Sequence, residues 1–405
     1  MQKGKKLLLL CQYFYPEPIS SAILPTQLAT NLARNGYSVE VLCGYPYEYY
    51  NDDPVPVREI YDGVAIKRVR YINLDKNKKI YRAINMLSFV LNTFASLLVH
   101  HDYTTCIVYT NPPILPIIAR VMNVVFGKEF IYIVYDIYPD LAVLTGYIRA
   151  SSSLSRIWDA INRSILNAAR SVVVIGSEMI PFLRRKTERK IEDKVLVIPN
   201  WYQDDIFGAP SDDGCGFCVS QKDNRFVVVY TGNIGILQDV ETIKAAILEL
   251  PRDNLDFVFT GHGRYHEALK NWCSDNKLEN VRVYDFLVGG EYKAILYRAD
   301  CCLVSLREGV EGLSVPSKTY GYLAAGKPVI AIMSKETDIA RDLLAFNAGF
   351  VIEQGDAKAL REALLYLMQD KGFLVTMGAN ARDLFNTKYK IEIAIDKYIK
   401  LIESL

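Results

Sequence analysis

The 405-residue chain carries 47 lysine and arginine residues against 46 aspartate and glutamate residues, which gives a net charge of +1. Half of its residues are hydrophobic and 23% are charged, a balance that excludes a disordered chain and indicates large buried cores. Because the net charge is so small, the chain has no general field for nucleic acid, and any anionic ligand must be held by a local site.

Short apolar segments alternate with longer amphipathic segments along almost the whole chain. The apolar segments are rich in Val, Ile and Tyr and are apolar on both faces, which is typical of parallel strands covered by helices on both sides. The longer segments carry helical periodicity and supply the crossover connections. The predicted strands are 6–11, 38–43, 64–69, 106–109, 130–135, 172–175 and 195–198, then 226–230, 256–260, 281–284, 301–305, 329–332 and 350–352. The clearest predicted helices are 22–34, 153–169, 240–248 and 357–368.

A polar, turn-rich stretch at 204–224 interrupts this pattern, and we interpret it as the linker between two domains. The length of the chain fits domains of roughly 100–200 residues each. We therefore predict an α/β protein with an N-terminal domain over 1–205 and a C-terminal domain over 206–388. The last segment, 389–405, has apolar residues at helical spacing and is predicted to pack back on the N-terminal domain.

Most of the eight cysteines lie inside or at the ends of apolar segments, where cysteine behaves as a small hydrophobic residue. Cys215 and Cys218 are spaced like half of a metal site, but neither a second pair nor a pair of histidines accompanies them. No feature demands an oxidising compartment, so we predict a cytoplasmic protein without a metal site. The apolar run 7–11 is too short for a signal peptide and predicts a buried first strand.

The apolar stretch 83–99 follows the basic run 76–79 and is short for a membrane span. Its polar residues form one stripe at helical spacing: Asn85, Ser88, Asn92 and Ser96. One interpretation is an internal helix with a narrow polar face. The other is peripheral docking on anionic lipid at the inner face of the membrane, where Arg82 and the lysines would meet the headgroups.

Glycines follow the first strand of the second half. The strand 226–230 runs into Gly232, Asn233 and Gly235, before a helix that starts near Asp239. Glycines at such a turn let backbone N–H groups approach a phosphate, and the following helix N-terminus favours an anion. An ordinary strand–helix turn also carries glycine, so both interpretations stay open at this point.

A second glycine-bearing turn, Gly261-His262-Gly263, follows the next predicted strand. A dinucleotide fingerprint requires a third small residue at position 266, where the chain has His266, although Asp285 stands at the distance expected of a ribose-binding acid. A nicotinamide-dependent enzyme is therefore a rival interpretation with an incomplete motif.

Residues 311–331 begin with Glu311 and place Pro316, Ser317 and Lys318 at the start of an alanine-bearing helix. Pro316 is suited to the start of a helix, which places Ser317 and Lys318 in the first helical turn. A lysine at a helix N-terminus is unfavourable for the helix dipole unless an anion offsets it, so this local conflict indicates a bound phosphate. The alternative is a solvated lysine on a surface helix.

The same stretch resembles the donor-site signature of the retaining group 1 (family four) glycosyltransferases, in the branch that builds bacterial O-antigen, capsule and colanic acid. Other segments are similar to that family in the same order, and together they extend over nearly the whole chain: 13–17, 110–113, 136–140, 197–201, 231–235 and 354–356. The resemblance implies the GT-B fold, in which two Rossmann-like domains with parallel sheets face each other across a deep cleft.

The resemblance also implies an activity. Family members move a sugar from a nucleotide sugar, usually a uridine diphosphate (UDP) sugar, and need neither a metal nor another cofactor. We therefore expect transfer to a lipid-linked or saccharide acceptor in surface polysaccharide biosynthesis. The implied mechanism is front-face displacement, in which the departing phosphate oxygen takes the acceptor proton, so no protein nucleophile is assigned.

The resemblance assigns roles to particular residues. The candidate donor-binding residues are Gly232, Asn233, Gly235, Gly261, His262, Glu311, Ser317, Lys318 and Asp338. Lys318 is also a candidate catalytic residue, because a positive charge can offset the charge that develops on the leaving diphosphate. Asp136 and Asp140 are candidate catalytic residues on the acceptor side, although Asp136 is equally suited to cap the turn that follows it. His262 is either a donor contact or a bystander of its turn.

The chain departs from the family pattern in three respects. Relatives often have two glutamates separated by seven residues, and this chain has Leu313 and Gly321 there, so Glu311 and Asp338 are the candidates for ribose recognition. The basic pair that often follows the glycine turn is reduced to Gln238, which leaves more charge compensation to the helix lysine.

The third departure is Tyr135, which stands where many relatives place a histidine close to the 6-hydroxyl of the donor sugar. We hypothesise that the donor is a 6-deoxy amino sugar, which has no such hydroxyl.

Two functions other than transfer stay open. A GT-B-fold sugar-nucleotide epimerase would need acid and base groups around the sugar, and the chain has only four histidines. A non-catalytic partner that binds a nucleotide sugar would tolerate the missing glutamates.

Overall fold

The computed structural model describes residues 5–48, 50, 54–75, 78–99, 102–187, 191–203 and 225–405. The chain divides into two compact units, one of Met1–Pro199 together with Ile395–Leu405 and one of Asn200–Ala394. The predicted linker 204–224, with Cys215 and Cys218, lies outside the described residues, as does part of the basic run 76–79.

The N-terminal unit is built on an eight-stranded sheet in the order β3-β4-β2-β1-β5-β6-β7-β8. Neighbouring strands run parallel except β3, which pairs antiparallel with β4 across a turn in which Asp62 and Gly63 have positive φ. The central strands are buried along their length, as expected of parallel strands covered on both faces. The strands are β1 Lys6–Leu10, β2 Ser38–Gly44, β3 Arg58–Tyr61, β4 Val64–Val69, β5 Thr105–Tyr109, β6 Glu129–Val134, β7 Ser171–Val174 and β8 Val195–Val197.

Helices supply the crossovers between these strands. They are α1 Ser20–Arg34, α2 Lys79–Val99, α3 Pro116–Phe126, α4 Asp140–Leu144, α5 Ser153–Ala168 and α6 Ile180–Lys186. The end of the chain forms α14 Ile391–Glu403, and its Ile395–Leu405 part belongs to this unit. There Lys5 Nζ donates a hydrogen bond of 2.7 Å to the carbonyl oxygen of Ile402.

Helix α2 turns its polar stripe toward the protein and much of its apolar surface outward. The Asn85 side chain is buried and bonds both the N–H and the carbonyl oxygen of Leu74 at 2.9 and 2.8 Å. Ser88 accepts from the N–H of Ile72, and Asn92 donates to the carbonyl oxygen of Arg70. The exposed apolar side chains follow one another at helical spacing: Ile80, Ile84, Leu87, Leu91 and Leu98. Helix α2 is therefore only partly internal, since Phe89 and Leu97 are buried beside the polar stripe while most of its other apolar side chains are exposed.

The C-terminal unit is built on a six-stranded sheet in the order β11-β10-β9-β12-β13-β14, with every neighbouring pair parallel. The strands are β9 Phe226–Asn233, β10 Leu255–His262, β11 Val281–Tyr284, β12 Cys301–Ser305, β13 Val329–Ile332 and β14 Gly349–Ile352. Side chains of β9 and β10 such as Val228, Leu255 and Phe257 pack into its hydrophobic core.

The helices of this unit begin with side-chain caps at several N-termini. Asp239, Thr337, Asp356 and Asp370 each accept a hydrogen bond from the backbone N–H three residues later, which satisfies a donor that the helix leaves unpaired. The helices are α7 Val240–Glu249, α8 His266–Asp275, α9 Gly289–Arg298, α10 Lys318–Ala324, α11 Asp338–Ala345, α12 Ala357–Gln369 and α13 Lys371–Leu384. A π-helical turn, Phe385–Tyr389, follows α13. Each unit thus has the predicted α/β architecture.

Candidate functional site

The strand order of the C-terminal unit reverses at β9. Strands β10 and β11 lie on one side of β9, whereas β12, β13 and β14 lie on the other. Ligands of open α/β sheets bind outside the carboxyl ends of the strands at such a switch point. Here Gly232 lies at the end of β9, and the loop that follows β12 leads to Lys318. The topology therefore brings both parts of the predicted donor site to the same edge of the sheet.

Two glycine turns lie against each other at this edge. Gly232 and Gly261 are register partners at the ends of β9 and β10, and a Cβ atom on Gly261 would stand 1.8 Å from the carbonyl oxygen of Gly232. A Cβ atom on Gly263 would stand 2.3 Å from Oδ1 of Asn233. Neither position has room for a side chain, because Gly261 packs on the backbone of Gly232, and Gly263 packs on the side chain of Asn233 and the carbonyl of Ile234. This accounts for the incomplete dinucleotide motif without a nicotinamide cofactor.

The ammonium group of Lys318 lies next to the first of these turns. A Cβ atom on Gly232 would stand 3.5 Å from Cε and 3.8 Å from Nζ of Lys318. The lysine is half-buried as a residue, but its Nζ atom is fully buried and has no hydrogen-bond partner among the described residues. Nζ lies 3.6 Å from the centroid of the Tyr230 ring. Burial lowers the pKa of Lys318 well below its ordinary value, because the interior disfavours the charged form.

A buried ammonium group without a hydrogen-bond partner is energetically unfavourable. Buried polar groups are normally hydrogen-bonded, and a buried charge is normally paired. The Lys318 ammonium can meet this requirement by contacting an anion at the carboxyl end of β9. The solvated surface lysine, which was the alternative for this position, is therefore wrong.

Helix α10 differs from its prediction in where it starts. It begins at Lys318 and spans seven residues, so Pro316 precedes it and Ser317 is its N-cap residue. The Ser317 side chain makes no capping hydrogen bond, whereas the Thr319 hydroxyl donates to the carbonyl oxygen of Pro316 at 3.1 Å. Because so short a helix has a weak dipole, the lysine side chain is the main source of positive charge here.

A buried network of tyrosines supports the same edge. The Tyr322 hydroxyl accepts a 2.8 Å hydrogen bond from the N–H of Thr231 and lies 3.0 Å from the Thr231 hydroxyl. Tyr292 bonds Thr231 as well, and it also bonds Tyr202. Burial raises the pKa of Tyr292 and Tyr322, so both hydroxyls stay protonated. Neither these residues nor Tyr230 were predicted from the sequence, because tyrosines scattered through apolar segments look like ordinary core residues.

The other predicted members of the turns have local partners. The N–H of Gly235 donates to Oε1 of Gln238 at 2.9 Å, so Gln238 closes the turn in the place where relatives have basic residues. The Asn233 side chain packs over Gly235. His262 is exposed, and its ring lies edge-on to Phe286 with the centroids 5.3 Å apart.

The two candidate ribose-binding acids, Glu311 and Asp338, also have partners within the C-terminal unit. Glu311 accepts from the N–H of Gly309 at 2.9 Å and from the side-chain amide of Gln354. Asp338 is the first residue of α11 and pairs with Arg341 at 2.9 Å, one helical turn away. Both carboxylates stay partly exposed.

The candidate catalytic acids of the N-terminal unit, Asp136 and Asp140, have different partners. The Thr110 hydroxyl accepts from the N–H groups of Tyr135 and Asp136 at 3.0 and 3.4 Å, which fixes the start of the segment after β6. Asp140 instead forms an ion pair with Lys186, which also pairs with Asp159 at 2.5 Å. Asp140 thus joins α4 to α6 through Lys186.

Among the described residues, no group of three or more His, Cys, Asp or Glu side chains is arranged to hold a metal ion.

Comparison with protein families identifies both halves of the chain. Residues 225–370 match the model of the glycosyl transferases group 1 family. Residues 25–201 match the glycosyl transferase 4-like domain. The chain belongs to the group 1 glycosyltransferases.

Similar proteins are also named as glycosyltransferases. The chain is 27% identical over 298 residues to WbjE of Pseudomonas aeruginosa, a probable glycosyltransferase, with 73% of each chain covered. It is 26% identical over 215 residues to WcaI of Escherichia coli strain K12, a putative colanic acid biosynthesis glycosyl transferase, with 51% of this chain and 52% of WcaI covered.

Solved structures establish the fold. The sucrose-phosphate synthase of Thermosynechococcus elongatus matches with a TM-score of 0.77 at 17% identity over 99% of both chains. HepE of Anabaena in complex with UDP matches with a TM-score of 0.70 at 13% identity, over 99% of this chain and 100% of HepE. The fold is that of the GT-B glycosyltransferases, as the sequence predicted.

Proposed function

We propose that this glycosyltransferase binds a UDP-sugar at the carboxyl end of β9 and that the Lys318 ammonium holds its diphosphate. The observation that carries the proposal is the buried, unpaired Nζ atom of Lys318 beside Gly232. Electrostatic stabilisation acts most strongly where charge develops and water is excluded. Lys318 meets both conditions for a leaving diphosphate.

The proposed reaction is a metal-independent transfer with retention at the anomeric carbon. The acceptor hydroxyl attacks the anomeric carbon as the bond to the diphosphate oxygen breaks, and the acceptor proton passes to that departing oxygen. Lys318 offsets the negative charge left on the diphosphate, and Glu311 or Asp338 binds the ribose. Retention is proposed from the resemblance to the retaining branch of the family.

The proposed acceptor is a lipid-linked or free saccharide of a bacterial surface polysaccharide. The names of the similar proteins support this assignment, since WcaI is described as a colanic acid biosynthesis enzyme. We place the acceptor on the N-terminal unit near Asp136, which follows the carboxyl end of β6. We also propose a 6-deoxy amino sugar as the transferred group, because Tyr135 stands where relatives have a histidine.

Binding of UDP tests the diphosphate site directly. Isothermal titration with UDP should show that Lys318→Met weakens binding at least tenfold, as expected for loss of a charge-assisted hydrogen bond of roughly 1.5–3 kcal/mol. Lys358→Met is the matched control, because it removes the same charge from an exposed side chain of the C-terminal unit. Equal UDP affinity in wild type and Lys318→Met would remove Lys318 from the site.

Turnover separates transfer from its alternatives. Incubation with a panel of UDP-sugars and a lipid-diphosphate acceptor should give a transferred product with a retained anomeric configuration. Formation of an isomeric UDP-sugar without acceptor would instead identify an epimerase, and binding without any turnover would identify a non-catalytic partner.

We further propose that α2 docks on the surface of an anionic membrane. The segment Ile80–Val99 is long and apolar enough to cross a membrane by length and composition alone, with 28% of its most apolar window buried. Its polar stripe is bonded to residues 70–74, which favours a helix that lies on the membrane. Lys78 and Arg82 contact the rings of Tyr81 and Tyr147, and such pairs suit the headgroup region.

Vesicle binding tests this surface. The double variant Leu87→Glu/Leu91→Glu should reduce co-sedimentation with phosphatidylglycerol vesicles more than tenfold, because burial of each leucine contributes about 1.5–3 kcal/mol. Val375→Glu changes an exposed apolar residue of the C-terminal unit and should bind like wild type. Undiminished binding of the double variant would contradict the docking face.

A further inference from the structure

Tyr230 contacts both parts of the proposed diphosphate site with a single side chain. It lies in β9, is 1% exposed, and presents its ring face to the Lys318 Nζ atom at 3.6 Å. Its hydroxyl donates a hydrogen bond of 3.1 Å to the carbonyl oxygen of Asn233, in the glycine turn. Burial raises the pKa of Tyr230, so the hydroxyl remains a donor at neutral pH.

The ring stabilises the cation without using its hydrogen-bond donors. A cation above an aromatic face is attracted by the ring quadrupole, and this attraction strengthens when water is excluded. A carboxylate in the same place would neutralise the ammonium and occupy its N–H groups. With the ring as its contact, Lys318 stays charged more readily than in an aliphatic environment, and its N–H groups remain available to an anion.

The hydroxyl acts on the other part of the site. The carbonyl oxygen of Asn233 belongs to the turn whose Gly232 lies against the Lys318 side chain. The hydrogen bond from Tyr230 fixes this carbonyl relative to the ring, and therefore relative to the ammonium above the ring. One side chain thus sets the spacing between the cation and the backbone turn.

We propose that Tyr230 is a positioning residue for donor binding, with its ring holding the Lys318 ammonium and its hydroxyl fixing the adjacent turn. This inference rests on the proposed binding of the donor diphosphate by Lys318. Tyr230 acts through Lys318 and through Asn233 and makes no contact with the donor itself. Loss of the ring should therefore matter only while Lys318 is present.

A double-mutant cycle on UDP affinity, measured by isothermal titration, tests this dependence. Tyr230→Leu should weaken UDP binding about tenfold, which corresponds to a cation–π contact in a desolvated site. In the Lys318→Met background the same substitution should cost only about threefold, the part due to the lost hydrogen bond to Asn233, because the cation that the ring supports is gone. Tyr230→Phe, which keeps the ring, should weaken binding about threefold through loss of the hydrogen bond to Asn233.

Ring fluorination provides a version of the test that does not alter shape. Starting from Tyr230→Phe, one to three ring fluorines withdraw electron density and should weaken UDP binding stepwise with little change in volume. Melting temperature and far-ultraviolet circular dichroism show whether each variant is folded.

The possible outcomes separate the two proposals. An equal effect of Tyr230→Leu in both backgrounds, or affinity independent of fluorination, would overturn the positioning role. A loss of affinity in Lys318→Met with no loss in Tyr230→Leu would also overturn it, while leaving the diphosphate site intact. Unchanged affinity in Lys318→Met would overturn the diphosphate site itself.

Discussion

The hydroxyl oxygen of Tyr292 lies 2.7 Å from the position that a Cβ atom on Gly321 would occupy. The Tyr202 ring approaches the same position to 3.3 Å. Gly321 occupies the position at which the family pattern often has its second glutamate. In this chain, tyrosine side chains fill the space beside α10 there. Tyr292 and Tyr202 therefore leave no room for a larger side chain at position 321.

We predict that Gly321→Ala lowers the free energy of unfolding by about 1–3 kcal/mol, because the added methyl group overpacks the space beside Tyr292. Combining it with Tyr292→Phe should recover part of the loss, since the opposing hydroxyl is removed. Urea denaturation measures both. Gly290→Ala is the matched control, because a Cβ atom there would meet nothing within 4 Å. A Gly321→Ala variant as stable as wild type would contradict the crowding.

The affinity for UDP should fall as the pH rises. Burial places the pKa of Lys318 below its ordinary value in the free protein, and a bound diphosphate favours the charged form. Below the pKa of the free protein the lysine is already charged and binding is strongest. Above it, binding must take up a proton, and the affinity falls by up to about tenfold per pH unit.

Titration calorimetry in two buffers with different ionisation enthalpies measures this proton uptake. The Lys318→Met variant should lose it and retain only the titration of UDP itself. Proton uptake that is the same in the variant and in wild type would show that another group titrates.

Periodicity in the sequence predicted the strands and helices because the pattern of buried side chains is a local property. Strand β3 was missed, although Asp62-Gly63 between two short apolar segments is a strong hairpin signal. Its alternating half-exposed residues lack the continuous apolar run that marked the other strands.

The donor site was predictable only in part. Gly232 and Lys318 follow different strands, and parallel strands bring their carboxyl ends together at the switch point, so their proximity could be inferred from topology. The role of Tyr230 could not be inferred, because the sequence does not show which buried tyrosine lies under a lysine that arrives from another crossover. Nor does it show that the amide of Gly235 is already bonded to Gln238.

We predict that Asp140 stabilises the fold and takes no part in catalysis. We expect Asp140→Asn to lower the free energy of unfolding by about 1 kcal/mol, because its carboxylate is partly exposed and shares Lys186 with Asp159. Its turnover and its UDP affinity should match those of wild type. Asp136→Asn provides the comparison, since a loss of turnover there with unchanged stability would assign the acceptor side to Asp136. A large loss of turnover in Asp140→Asn at normal stability would restore Asp140 as a catalytic candidate.

Donor choice should depend on Tyr135. Its ring lies against Tyr109 with the centroids 5.4 Å apart, and burial raises its pKa, so its hydroxyl stays protonated and the side chain is uncharged. A neutral tyrosine replaces the histidine that many relatives are expected to place near the sugar 6-hydroxyl, and we expect this exchange to favour a donor with a 6-methyl group. In a hydrolysis screen without acceptor, we expect kcat/KM to be about tenfold higher for a 6-deoxy UDP-amino sugar than for its 6-hydroxylated counterpart.

Two variants at this position test the cause of the preference. Tyr135→His should bring the ratio of the two kcat/KM values closer to one or reverse it, and Tyr135→Phe, which keeps the ring, should preserve it. A wild-type preference for the 6-hydroxylated donor would rule out the assignment of a 6-deoxy donor sugar.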